Sequence, residues 1–178
     1  MKLKTTGLVL ALTLVPAVSS AQDATTRRVL PPMPDVSSPI VSEGVDANTR
    51  AVADRAWALF VEAWGAGDWD PFLAMTTDDF QFWFTQGEFA GLHEGVDGKA
   101  KLVAWARFHQ QAGNKIRSVA ERATYGGKTA VFESAAESMP PGGYRNYEAI
   151  VFEVRGDRIS ALREYWNVLD PAAVTVKQ

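Results

Sequence analysis

Two glutamates and two histidines are the side chains of this sequence that could move protons near neutral pH. Glu148 lies in the segment NYEAIVFEV and Glu164 in REYWN, and carboxyl groups that share an apolar cavity acquire raised pKa values through desolvation and mutual repulsion. His93, in GLHEGVDG, has Glu94 beside it and could act as an acid or a base. His109 is expected at the edge of the core. Glu164, Glu148 and His93 are therefore the candidate catalytic residues.

Each candidate also has a structural interpretation. Glu164 could face solvent at a sheet edge or form an ion pair with Arg117 or Arg145. Glu148 follows a loop rich in proline and glycine, so its strand register is open, and His93 could be a solvated loop residue. Burial in a cavity is the property that distinguishes the two interpretations.

Metal and cofactor sites have no support in the sequence. Cysteine is absent and the two histidines are far apart in the chain, so the convergent ligands of a metal site are missing. No glycine-rich phosphate loop, Gly-x-Ser-x-Gly or His-Glu-x-x-His pattern occurs. We expect no metal and no cofactor.

Three helices are predicted at the start of the domain that must position these residues. Apolar residues at spacings of three and four predict a first helix over 46–65. A short second helix is expected from the N-cap Asp68 to about residue 75. A third helix is predicted over 97–112, with Asp97 as its N-cap.

The remaining segments have the alternation of a β-sheet. FQFWF reads as one strand, and four successive strands are predicted over 116–125, 128–138, 144–155 and 158–168. Glycine-containing turns at 126–127 and 156–157 join the first and the last pair as hairpins. Helices followed by an antiparallel sheet define an α+β domain, in which a curved sheet can wrap the long helix.

Three segments, in this order and spacing, resemble the nuclear-transport-factor-2-like superfamily and its SnoaL-like branch. They are AWGAGDWDPFLAMTTDDFQF, GLHEGVDGKAKLVAW and IVFEVRGDRISALREYWN, and the resemblance covers about residues 48–170. It implies a cone-shaped α+β barrel, in which three N-terminal helices pack on a strongly curved, mostly antiparallel sheet that encloses a cavity. It also implies a homodimer formed through the outer sheet face. The superfamily includes ketosteroid isomerases, polyketide cyclases, epoxide hydrolases, dehydratases and binding domains, so the fold does not select a function.

The isomerase branch allows a test residue by residue. Its mechanism needs a tyrosine, a general-base aspartate and a protonated acid. The resemblance places Phe60 at the tyrosine, Phe84 at the general base and Ile150 at the acid. A hydrocarbon can neither accept the proton nor donate to the oxyanion, so steroid-type isomerisation by this mechanism is disfavoured.

The resemblance also assigns the inward face of the last two strands. Strand alternation puts Glu148 on the same face as Ile150, and on the last strand Glu164 and Trp166 point inward. We expect a pocket for a flat or hydrophobic ligand, with Glu164 as its polar anchor. Its predicted walls are Trp57, Phe60, Trp64, Phe82, Phe84, Ile150, Phe152, Leu162 and Trp166. Core and dimer contacts are the other use for so many aromatic residues.

The N-terminal segments are predicted to lie outside the domain. Lys2 and Lys4, an apolar run over 7–18 and small residues before position 22 form the pattern of a signal peptide over 1–21, cleaved after Ala21. The apolar run is shorter than the roughly 20 residues of a membrane span. Residues 22–45 contain four prolines, which predicts an extended arm or linker. The arm could pack across the domain or onto a second subunit, or it could be a free tether. The domain is expected over 46–172, with a C-terminal tail over 173–178.

Composition limits the function classes. The chain has 47% hydrophobic residues, enough for a full core, and without Lys2 and Lys4 its 16 basic residues stand against 21 acidic ones (16 − 21 = −5). This acidic balance argues against nucleic acid and anionic membranes as partners. We expect an exported protein, periplasmic or secreted, that binds a small hydrophobic molecule, with or without acid–base chemistry. The alternatives are a cofactor-independent cyclase, isomerase or dehydratase-like lyase, and a structural or protein-interaction domain with a self-filled cavity.

Overall fold

The computed structural model of the protein describes residues 40–41 and 46–168. The predicted signal peptide, most of the arm and the tail lie outside these residues. Three α-helices are described, Ala47–Ala66 (α1), Asp70–Ala74 (α2) and Gly95–Gln111 (α3). The strands are Ile40–Val41 (β1), Thr76–Phe84 (β2), Gly91–His93 (β3), Ile116–Gly126 (β4), Thr129–Ser138 (β5), Arg145–Arg155 (β6) and Arg158–Val168 (β7). A 3₁₀ turn, Gly87–Phe89, links β2 to β3.

The seven described strands form one sheet in the order β1-β4-β5-β6-β7-β2-β3. Neighbouring strands are antiparallel except for the parallel pairs β1–β4 and β2–β7. Register shifts in β2–β7, β4–β5 and β6–β7 bend the strands, so the sheet curves around the helices without closing. The predicted α+β fold, three helices on a curved and mostly antiparallel sheet, is confirmed.

Helix α1 covers the inner face of the sheet and supplies much of the aromatic core. The Asp46 carboxylate accepts the Thr49 N–H at 2.8 Å and caps its first turn. Phe60, on its buried face, packs edge-to-face against Phe72 of α2 at 5.4 Å and against Phe152 of β6 at 6.2 Å between ring centroids. These contacts bury apolar surface that the helices and the sheet could not bury separately.

Helix α3 lies against β2 and β3 at unusually short range because Gly98 has no side chain. A Cβ atom at position 98 would lie 2.0 Å from the Phe80 carbonyl oxygen and 2.7 Å from that of His93. The Lys99 ammonium donates to the Leu73 carbonyl oxygen at 2.8 Å and to the Thr76 hydroxyl, which joins α3 to the start of β2. These contacts hold the N-terminal part of α3 against the sheet.

The boundaries of α2, α3 and β2 differ from the predicted ones. Asp97 is not the N-cap of α3, because the helix begins two residues earlier with Glu94 at the cap position. Asp68 is not the N-cap of α2, because the helix begins at Asp70 with Trp69 at the cap position, although the Asp70 N–H donates to the Asp68 carboxylate at 3.1 Å. Strand β2 begins at Thr76 instead of residue 80, because Thr76 pairs with β7.

The two shortest strands were not predicted, since neither is long enough to show a period. Strand β3 exists through its pairing with β2. Strand β1 lies in the predicted arm, where Ile40 pairs with Arg122 and Val41 with Ala123 at the edge of β4. This part of the arm therefore runs along the domain, whereas residues 22–39 and 42–45 lie outside the described residues.

Candidate functional site

The inner face of the sheet changes from apolar to polar along its strands. At one end Phe152 pairs with Leu162 and Phe132 with Ile150, all of them buried. Two residues further along, β5 and β6 carry Ser134 opposite Glu148. Small residues on β4 and β5 leave space at this end, namely Ser118, Ala120, Ser134 and Ala136.

A cavity of about 700 Å³ occupies the polar end. Six aromatic residues line it, namely Trp64, Phe84, Phe89, Phe108, Tyr144 and Trp166. Ser118, Glu148, Glu164 and His109 provide polar wall atoms, and the 3₁₀ turn and the loops after α3 and β5 form its rim. The volume lies within the range of about 300–1,000 Å³ that small-molecule sites usually have.

Glu164 is a buried carboxyl group with an unsatisfied oxygen. Its side chain lies in the cavity wall with the residue 4% exposed, and Oε1 has no hydrogen-bond partner. Burial raises the pKa of Glu164 well above its usual range, and the neighbouring Glu148 charge raises it further. The two arginines proposed as ion-pair partners both contact Glu137 instead, Arg145 at 2.6 Å and Arg117 at 3.9 Å. Glu164 is therefore a proton donor that keeps its proton at a pH where exposed glutamates have lost it.

Glu148 is a second carboxyl group in the same wall, in a more polar environment. The Ser134 hydroxyl donates to Oε1 at 2.8 Å, and the Asn146 amide donates to Oε2 at 3.3 Å. Burial raises the pKa of Glu148, while the hydrogen bonds from Ser134 and Asn146 oppose that shift. Glu148 pairs with Trp166, so Glu164, two residues before Trp166, is the diagonal neighbour of Glu148. Diagonal residues in an antiparallel ladder lie about 7–8 Å apart. The two carboxyl groups thus share one wall but differ in how well each can carry a charge.

Tyr144 adds a hydroxyl group to this polar end. Its oxygen accepts a hydrogen bond of 2.6 Å from Asn146, which leaves the hydroxyl proton free to be donated. Burial, followed by the nearby Glu148 and Glu164 charges, raises the pKa of Tyr144. Tyr144 is therefore a neutral hydrogen-bond donor throughout the physiological pH range.

His109 faces the cavity from the last turn of α3. Its ring lies 4.8 Å from Trp64 and 5.0 Å from Trp105, between centroids, and Nδ1 is 2.9 Å from the Asn114 amide nitrogen. Burial lowers the pKa of His109 to about 4, so the imidazole is neutral at pH 7. The sequence placed His109 at the core edge, and the structure places it at the core edge and in the cavity wall together. One signal in the sequence could have indicated the place in the cavity wall, since His109 lies near the predicted end of its helix, shortly before Gly113.

The predicted pocket residues fall into two groups. Trp64, Phe84 and Trp166 line the cavity. The six others pack in the hydrophobic core and do not line the cavity. They are Trp57, Phe60, Phe82, Ile150, Phe152 and Leu162. Trp57, for example, stacks on Phe132 at 4.8 Å with the ring planes 5° apart. Side chains from three helices fill the apolar end of the sheet, so the open space is left at the other end.

His93 lies on β3 and is not among the residues that line the cavity. Its Nε2 donates to the Phe89 carbonyl oxygen at 3.2 Å, while Glu94 accepts from Gln81 and does not pair with His93. This position favours a structural role, in which His93 holds the 3₁₀ turn that carries Phe89 to the cavity. A catalytic role for His93 stays a prediction.

Two further properties concern only the part of the chain that the structure describes. No group of three or more His, Cys, Asp or Glu side chains is arranged there to hold a metal ion. None of the helices described is both long and apolar enough to cross a membrane.

Comparison with known proteins identifies the family. The family model of the SnoaL-like domain matches residues 57–162. The crystal structure of an NTF2-like protein from Anabaena variabilis is 34% identical, covers 71% of this chain and 96% of its own, and superposes with a TM-score of 0.63. The chain belongs to the SnoaL-like family of NTF2-like proteins.

More distant structures share the fold. An LEH-like epoxide hydrolase from M. tuberculosis is 22% identical, with a TM-score of 0.50 over 66% of this chain and 84% of its own. A computationally designed 17-OHP binder is 17% identical, with a TM-score of 0.53 over 68% of this chain and 95% of its own. Among curated proteins, none matches significantly.

Proposed function

We propose that this protein binds a small, mainly hydrophobic molecule in the cavity at the polar end of the sheet. The observation that carries the proposal is a cavity of about 700 Å³ with aromatic walls, into which Glu164 presents an oxygen that has no partner. An unsatisfied buried polar group costs about 1–3 kcal/mol, and a ligand that bonds to Glu164 would recover part of this. A designed protein with this fold binds 17-OHP, which supports a small molecule as the kind of ligand.

Acid–base chemistry on the bound molecule is the second part of the proposal. Glu148 accepts hydrogen bonds that stabilise its charged form, whereas Oε1 of Glu164 accepts none. Two carboxyl groups in such different environments are suited to act as a base and an acid, respectively. This arrangement favours a cofactor-independent lyase or isomerase as the candidate enzyme class, with Tyr144 as a further hydrogen-bond donor.

A structural domain with a self-filled cavity has less support. The aromatic side chains of the core fill the apolar end of the sheet and leave the other end open.

Export and dimerisation are part of the same proposal. The signal-peptide pattern of residues 1–21 supports a periplasmic or secreted protein. Tyr147 and Tyr165, exposed at 43% and 46% on the outer sheet face, support a homodimer through that face. Native mass spectrometry of the protein purified gently from its host tests both, through a mature N-terminus at Gln22 and the number of subunits.

The same measurement tests ligand binding. We expect an added mass on each subunit, lost in Glu164→Gln and retained in Glu62→Gln, which makes the same change on an exposed surface of α1. A bare subunit that also fails to bind added hydrophobic alcohols, amines or acids would overturn the proposal.

A further inference from the structure

The cavity contains carboxyl groups but no buried cationic group to balance them. Glu148 and Glu164 lie in its wall, and Glu88 lies at its exposed rim. The two basic side chains along its lining are Lys115, which is exposed, and His109, which burial keeps neutral at pH 7. A ligand with a carboxylate or phosphate would add negative charge to this wall, whereas a ligand with a positive charge would supply what the wall lacks.

Aromatic rings line the same cavity as the two carboxyl groups. Trp166 pairs across the strands with Glu148, and its ring packs against Phe84 at 5.8 Å and Tyr144 at 6.3 Å between centroids. The face of an aromatic ring attracts a cation, and most strongly where water is excluded. Carboxyl oxygens within an aromatic wall are the groups that recognise an organic ammonium ion.

We infer that the ligand of this cavity is an apolar molecule bearing one basic amine, and that its ammonium group binds at Glu164 and Glu148 beside Trp166. The inference rests on the proposed function, because it names the ligand class of the same cavity. An ammonium group has three N–H donors, one for the unpartnered Glu164 Oε1 and others for Glu148 and its surroundings. The aromatic walls contact the apolar body of the ligand.

Binding of such a ligand releases a proton. The amine enters as R–NH₃⁺, a protonated carboxyl group loses H⁺ to water, and the products are the ammonium–carboxylate pair and one free proton. Affinity therefore rises with pH up to the pKa of that carboxyl group in the free protein and levels off above it. It falls again when the amine itself loses its proton, near pH 10 for an alkylamine by analogy with lysine. The titratable groups that face this pair are Tyr144, His109, Glu88 and Lys115.

Three probes that share a phenyl ring and four methylene groups test the inference, namely 4-phenylbutylamine, 4-phenylbutan-1-ol and 5-phenylpentanoate. Isothermal titration calorimetry on the mature protein at pH 7.5 should show the amine binding at least tenfold more tightly than the alcohol, and the carboxylate most weakly. In buffers of different ionisation enthalpy, amine binding should release up to one proton and alcohol binding none. Glu164→Gln should lower the affinity for the amine by at least tenfold and remove the preference for the amine over the alcohol, whereas Glu62→Gln should change the affinity for neither probe.

The outcomes separate this inference from the proposed function. Equal affinity for the amine and the alcohol would overturn the inference that the ligand bears an amine. Tightest binding of the carboxylate would overturn it as well. Either result would leave the cavity as a site for a hydrophobic ligand. An amine preference that persists in both Glu164→Gln and Glu148→Gln would also overturn it, provided that circular dichroism shows both variants folded. Failure of all three probes would count against the proposed function itself.

Discussion

Replacing Glu164 by glutamine removes a buried acid without changing the shape of the side chain. Because burial raises the pKa of Glu164 well above the usual 4.5, the native state keeps a proton that the unfolded chain has released. The native state then binds more protons, and the free energy of unfolding falls as the pH rises above about 4.5. The stabilisation is complete below that pH and is lost as the pH approaches the pKa of the folded state.

One proton sets the size of this effect. A single site changes the free energy of unfolding by at most about 1.4 kcal/mol per pH unit. If Glu164 stays protonated from pH 5 to pH 7, the free energy of unfolding of the wild type falls by up to about 2.7 kcal/mol over that interval, relative to that of Glu164→Gln. For a domain of this size that corresponds to roughly 10 °C in Tm. The difference in stability between the two proteins should be smallest at pH 5, the value closest to the ordinary glutamate pKa.

Urea unfolding followed by tryptophan fluorescence at pH 5, 6, 7 and 8 measures the difference. We expect the profiles of wild type and Glu164→Gln to diverge as the pH rises, with the variant more stable, and Glu62→Gln to follow the wild type. Parallel profiles for all three proteins would refute the argument, because Glu164 would then ionise like an exposed carboxyl group.

Three other changes test the packing around the cavity. Phe84→Ala should enlarge the cavity, shift preference towards bulkier apolar ligands in calorimetry and cost about 3 kcal/mol in urea unfolding; no change in either would place Phe84 outside the wall. Gly98→Ala should cost about 3 kcal/mol or more because its Cβ meets backbone oxygens, whereas Gly65→Ala, with open space around it, should be neutral or stabilising. His109→Phe should remove a loss of stability that the wild type shows as pH falls from 6.5 to about 4, where the unfolded histidine binds a proton and the buried one does not. Identical acid profiles for wild type and His109→Phe would show that His109 is hydrated.

The sequence was sufficient for the elements whose signals are local. The four long strands lie within one or two residues of their predicted positions, because turns at Gly127 and Gly156, with φ of 58° and 63°, set where the hairpins reverse. Helix α1 follows from the spacing of its apolar residues. The family resemblance, extended along β6 by strand alternation, placed Glu148 and Glu164 on the inner face. Family membership also follows from the sequence, since the matched segments span most of the domain.

Only the tertiary structure decided where the open space lies and which polar groups reach it. Phe60 and Phe152 are as hydrophobic as true wall residues, yet they pack in the core because Phe60 contacts Trp69, Phe72 and Phe152, rings from other parts of the chain. His109 lines the cavity from the last turn of α3, and its burial there depends on the rings of Trp64 and Trp105 that pack against it. The sequence determines which face of an element is apolar, since that depends on neighbours a few residues apart. The volume left empty, and the burial that changes the pKa of Glu164, depend on side chains from elements far apart in the chain, so they are determined only when the elements pack together.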